Sequence, residues 1–163
     1  MPLAYRAVFW SPGSAAAQTT LGTVLLTLGQ LDAARARFLT ARRLAPYAGF
    51  ASNNLCVAEL RRGRAADAVP YCQQAATLDP SSQIVRNNLA TAYVMVGDDD
   101  AAFAVFAAGP TPAVAAYNQG VLWLAKGEAD RAREAFARAR LADPSFRPPL
   151  SQLRQLSSTQ EPR

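Results

Sequence analysis

The chain has 163 residues, 50% of them apolar, a formal net charge of +5 and no histidine. This length suits one domain or one array of repeats, and the apolar share supports a continuous core, which excludes a disordered chain. No apolar run reaches 18 residues, so no membrane-spanning helix is encoded, and Met1 to Trp10 lacks the long apolar stretch and cleavage site of a secretory signal. The 9 glycines and 11 prolines fall mostly at regular intervals, and the alanine-rich remainder favours closely packed helices. The expected fold class is all-α.

In chain order, Leu3 to Ser11 reads as the last part of a helix, because Ala7-x4-Pro12 recurs as Ala41-x4-Pro46. Residues 1–14 are therefore expected to be a partial repeat or an N-terminal cap helix. A regular cycle follows: glycines at 29, 63, 97 and 127 and alanines at 34, 68, 102 and 132 step by 34, 34 and 30, and prolines at 12, 46, 80, 110 and 144 by 34, 34, 30 and 34. Such a period predicts stacked helical hairpins at 15–48, 49–82, 83–112 and 113–146.

In the first hairpin, helices are expected near Gln18 to Leu28 and Asp32 to Leu44, with Gly29 at the turn and Asp32 capping the second helix. In the second, Pro70 predicts a late start or a bend. In the third, Asp98-Asp99-Asp100 suits the positive end of a helix better than a metal, since no further ligand pattern follows. Four residues, one turn, are missing from that hairpin's second helix between Ala102 and Pro110. Residues 147–163 are expected to be a C-terminal cap helix, Leu150 to Leu156, and a frayed tail from Ser157.

In this register the chain resembles the tetratricopeptide repeat (TPR) family, with its W-x2-L-G-x2-Y, A-x3-F and P pattern. The first hairpin carries Leu21-Gly22-x2-Leu25, Gly29, Ala34-x3-Phe38, Ala41 and Pro46; the others carry Leu55-Cys56 with Ala68-x3-Cys72, Leu89-Ala90-x2-Tyr93 with Ala102-x3-Phe106, and Gly120-x2-Trp123 with Ala132-x3-Phe136. Glu59 stands at an aromatic place and Gln119 at a leucine place. The resemblance implies an α-solenoid of about four hairpins with capping helices. More narrowly, the double asparagines before leucine and Tyr117-Asn118-x-Gly120 resemble TPR proteins of bacterial tight-adherence (Flp) pilus assembly. That resemblance implies a periplasmic or outer-membrane-associated place in a larger complex; without it the expectation is cytoplasmic.

The resemblance also implies that partners bind the concave face of successive first helices. Projected here, that face includes Thr19, Thr23, Phe50, Asn53, Val57, Arg61, Ile84, Asn87, Thr91, Met95, Tyr117, Val121 and Leu124. Asparagines stand where carboxylate-gripping relatives have lysines, so no carboxylate clamp is expected. Asn54, Asn88 and Asn118 are register-equivalent and either form an amide ladder that pairs with a peptide backbone, or cap neighbouring backbone or bridge adjacent helices.

No glycine-rich phosphate loop, histidine or metal-ligand spacing is present, so no enzyme activity, cofactor or metal is expected. The expected function is a non-catalytic scaffold for a protein or peptide partner, the alternative being a regulatory or targeting domain of a larger enzyme. The arginine clusters Arg35 to Arg43, Arg61 to Arg64 and Arg131 to Arg140 read as solvated helix faces rather than a nucleic-acid surface. Finally, Cys56 and Cys72 lie eight residues on either side of Arg64, so an antiparallel hairpin brings them level. They are either a disulfide, pointing to export, or two reduced, buried thiols as in a cytosolic chain.

Overall fold

The structure, a computed structural model, describes residues 3–108 and 111–145. The C-terminal cap helix and tail expected within 147–163 lie outside the described residues. The helices are α1 (Leu3–Trp10), α2 (Ala15–Thr27), α3 (Leu31–Leu44), α4 (Gly49–Arg61), α5 (Ala65–Leu78), α6 (Gln83–Val96), α7 (Asp99–Ala107), α8 (Pro112–Ala125) and α9 (Ala129–Ala142), with no strand among the described residues. The chain divides into two compact units between Ala102 and Phe103.

Local chemistry starts and stops these helices. Ser14, Ser82 and Thr111 accept hydrogen bonds from the backbone N–H groups of Ala17, Val85 and Val114 at 3.2, 3.4 and 3.2 Å, capping α2, α6 and α8. Asp98 caps α7 in the same way, its Oδ1 accepting from Ala101 N at 3.0 Å. Asp32 does not cap: α3 begins after Gln30 without a side-chain cap, and Asp32, already in the first turn, accepts from Arg62 at 2.6 Å. Gly29, Gly63, Gly97 and Gly127 adopt φ of 74°, 73°, 83° and 78°, left-handed values that stop each first helix and turn the chain back.

The late start offered as one consequence of Pro70 does not occur: α5 begins at Ala65 and includes the proline. The proline removes the donor for the carbonyl of Ala66; both residues are exposed, while Ala68, Cys72 and Ala75 anchor the opposite face in the core.

The first, second and fourth hairpins each close around one contact. In the first, Gly22 lets α2 approach so near that a Cβ there would stand 2.5 Å from Phe38 Cε1, and Phe38 is wholly buried. Gly120 and Phe136 repeat this in the second unit, at 2.6 Å, beside Tyr117, Ala132 and Ala139. In the second hairpin the same two places hold Cys56 and Cys72, wholly buried, with Cα atoms 5.0 Å apart and their sulfurs joined. A covalent bond there takes the place of a glycine under a phenyl ring.

Between the first two hairpins lies a charged cluster. Glu59 is 1% exposed and accepts hydrogen bonds from Arg35 Nε and, at 2.8 Å, from Arg62 Nη1. The bond to Glu59 raises the pKa of Arg35 above its already high ordinary value, against the opposing effect of burial. A carboxylate is thus accommodated at a place the repeat pattern gives to an aromatic ring, because two guanidiniums meet it there.

A candidate partner-binding groove

In the first unit α2 touches α4 and α4 touches α6, whereas α3 and α5 barely meet. Crowded helices line the inside of a bend, so the first helices α2, α4 and α6 wall the concave side of this unit.

Asn53 and Asn88 meet across that wall: Asn88 Nδ2 donates to Asn53 Oδ1 at 2.9 Å, tying α4 to α6. The pairing is offset by one place from the register-equivalent set. Asn54 is half-buried, and Asn118, on α8 in the second unit, is half-buried too. Asn87 keeps Oδ1 buried without a hydrogen-bond partner, while its backbone carbonyl accepts from Thr91 Oγ1 at 2.8 Å. Arg61 is exposed and donates to the carbonyl of Leu26 at 3.1 Å, a cation at the negative end of α2.

Tyr117 does not present itself to a partner: only 7% exposed, it packs against Phe136 with ring centroids 5.4 Å apart. Burial raises the pKa of its phenol above the usual value. It fills its hairpin's core because the ring rotates inward onto the residue that Gly120 admits.

The surface around the amide pair is apolar. Phe50, Ile84 and Met95 are 44%, 69% and 50% exposed, more than buried packing would leave. Thr19, Thr23 and Thr91 donate their hydroxyls to carbonyls four residues back, at 2.8, 3.0 and 2.8 Å, so their donors are engaged within their own helices. On α2, α4 and α6 the single carboxylate is the buried Glu59, while Arg61 and Arg86 remain as cations. The arrangement can hold an extended apolar segment, hydrogen-bond its backbone through primary amides, and repel a basic one. Phe50 and Ile84 share one register place, a signal that the repeat itself carried.

Two family profiles, both described as tetratricopeptide repeat, match residues 19–83 and 59–115. No curated protein sequence matches the chain. Among solved structures it is similar to YrrB, "a TPR protein with an unusual peptide-binding site", at 23% identity and a TM-score of 0.68 over 97% of this chain and 80% of that one. It is similar to TTC0263, a thermophilic TPR protein of Thermus thermophilus, at 21% identity and a TM-score of 0.70 over 96% and 86%. It is also similar to PilF of Pseudomonas aeruginosa, at 18% identity and a TM-score of 0.69 over 96% and 73%.

Proposed function

The chain belongs to the tetratricopeptide repeat family, whose members are typically protein-interaction scaffolds, and from that premise we propose that it is a non-catalytic scaffold holding an extended partner segment in the groove of its first helices. The observation that carries this is the Asn53–Asn88 amide pair, flanked by exposed Phe50, Ile84 and Met95 on a wall without an exposed carboxylate. Asn54 adds a further half-buried amide on α4 within the same unit. The peptide-binding site named for YrrB supports the same use of the fold.

The test begins with capture of partners from the native organism and their identification by mass spectrometry, followed by calorimetric titration of the captured segment. Replacing Asn53, Asn54 and Asn88 together by alanine weakens binding by about 1 kcal/mol per lost amide pair while the helical spectrum persists. Unchanged affinity with lowered stability would show that the amides only hold neighbouring helices together.

A setting in bacterial pilus assembly rests on the resemblance carried by Tyr117-Asn118-x-Gly120 and the double asparagines. It entails a periplasmic or outer-membrane-associated chain, where a Cys56–Cys72 bridge persists. Intact mass of unreduced, alkylated protein from its native compartment decides: two labelled thiols would remove this support.

A further inference from the structure

In the second hairpin, the place where the preceding second helix ends is filled. Arg42, in the last turn of α3, donates to Gln74 Oε1 at 3.4 Å and lies 5.0 Å from the centroid of the Tyr71 ring. Beside it Ser52 Oγ donates to the same Gln74 oxygen at 3.1 Å, and Leu55 is wholly buried. The equivalent floor in the last hairpin is Ala116 for Ser52, Gln119 for Leu55, Arg138 for Gln74 and Ala142 for Leu78.

The helix that precedes this floor is short. Ending at Ala107, α7 has 9 residues where α3, α5 and α9 each have 14. A cavity of about 500 Å³ opens there, lined by Ala107, Ala115, Ala116, Gln119, Arg138 and Ala142. Two departures from the repeat thereby share one cause: glutamine stands where Leu21, Leu55 and Leu89 are buried because the turn that would bury it is missing.

We propose that this notch is a second binding site, separate from the groove, that receives one helical turn of a partner protein carrying a leucine-sized apolar side chain and a carboxylate. Its volume lies within the range of ligand pockets, and half of its walls are alanine, with Thr111 and Pro112 completing the rim. The charge pattern is the inverse of the filled site. There the cover supplies a cation, Arg42, to a neutral floor; here the floor supplies the cation, Arg138, whose Nη2 donates to the neutral Gln119 Oε1 at 3.2 Å. Glu134, one turn back on α9, forms no ion pair with Arg138 among the described residues. The chain's own turns at the missing place, Ala76-Thr77-Leu78-Asp79 and Arg140-Leu141-Ala142-Asp143, each contain a leucine and an aspartate.

The test uses the full chain and a fluorescein-labelled, alanine-rich helical peptide carrying the turn Ala-Thr-Leu-Asp, read by anisotropy, with an otherwise identical peptide bearing Asn for Asp. Saturable binding is expected, weakened about tenfold by Arg138→Glu and by the Asn peptide, and unaffected by Asn53→Ala with Asn88→Ala in the groove. Inserting the same four residues after Ala107 fills the notch in cis, abolishes peptide binding and raises the melting temperature. Arg138 is exposed, so the circular dichroism spectrum should persist in R138E; should it not, Arg138→Gln carries the comparison. The proposal is overturned by no saturable binding to the parent chain, by binding indifferent to both the charge change and the insertion, by binding lost through the groove substitutions, or by an insertion that lowers stability.

Discussion

Replacing Gly22 by alanine sets two effects of opposite sign against each other. Alanine in a helix interior is favoured over glycine by about 1 kcal/mol. The added Cβ, however, would lie 2.5, 2.7 and 3.0 Å from Cε1, Cδ1 and Cζ of Phe38, and that ring is wholly buried. Relief requires the ring or all of α2 to move by roughly 1 Å through a close-packed interior, and overpacking of that kind costs about 2–3 kcal/mol. Steric conflict therefore wins, for a net loss of about 1–2 kcal/mol. For a chain of 163 residues this lowers the melting temperature by roughly 2–8 °C. Thermal and urea unfolding followed by circular dichroism measure it, and Phe38→Leu in the Gly22→Ala background should recover part of the loss as a favourable coupling. A Gly22→Ala chain as stable as its parent would refute the reasoning, since propensity alone would then account for the position.

Glu59→Ala leaves Arg62, 14% exposed, without its buried acceptor and Arg35 without its carboxylate, and chemical unfolding should register a loss of about 2 kcal/mol; an unchanged midpoint would show that solvent replaces the carboxylate. Replacing both Cys56 and Cys72 by alanine removes a closed loop of 16 residues' separation and should cost about 3 kcal/mol under non-reducing conditions, whereas equal stability would mean that the bridge contributes nothing. Burial raises the pKa of Tyr117, so the fold prefers the neutral phenol: the stability this contributes is complete below the unfolded value of about 10 and is lost as pH rises through the higher folded value. The difference in melting temperature between parent and Tyr117→Phe chains should accordingly change only in alkaline solution, and parallel pH profiles would dismiss the burial effect.

The sequence by itself determined the all-helical fold and the glycines that turn one helix into the next. Left-handed glycines and buried alanines act over three or four neighbouring residues, so a 34-residue period exposes them. It also marked Glu59 and Gln119 as departures, though not their consequences. Only the tertiary structure decided that Asn88 bonds Asn53, that Asp32 turns to Arg62 instead of capping α3, that Tyr117 faces Phe136, and that the missing turn of α7 leaves a notch over Arg138. Each of these depends on how far one helix slides and rotates against another. Moving one residue along a helix turns the side chain by about 100°, so a small change of offset exchanges Asn54 for Asn53 across the groove, and no spacing within a single helix encodes that offset.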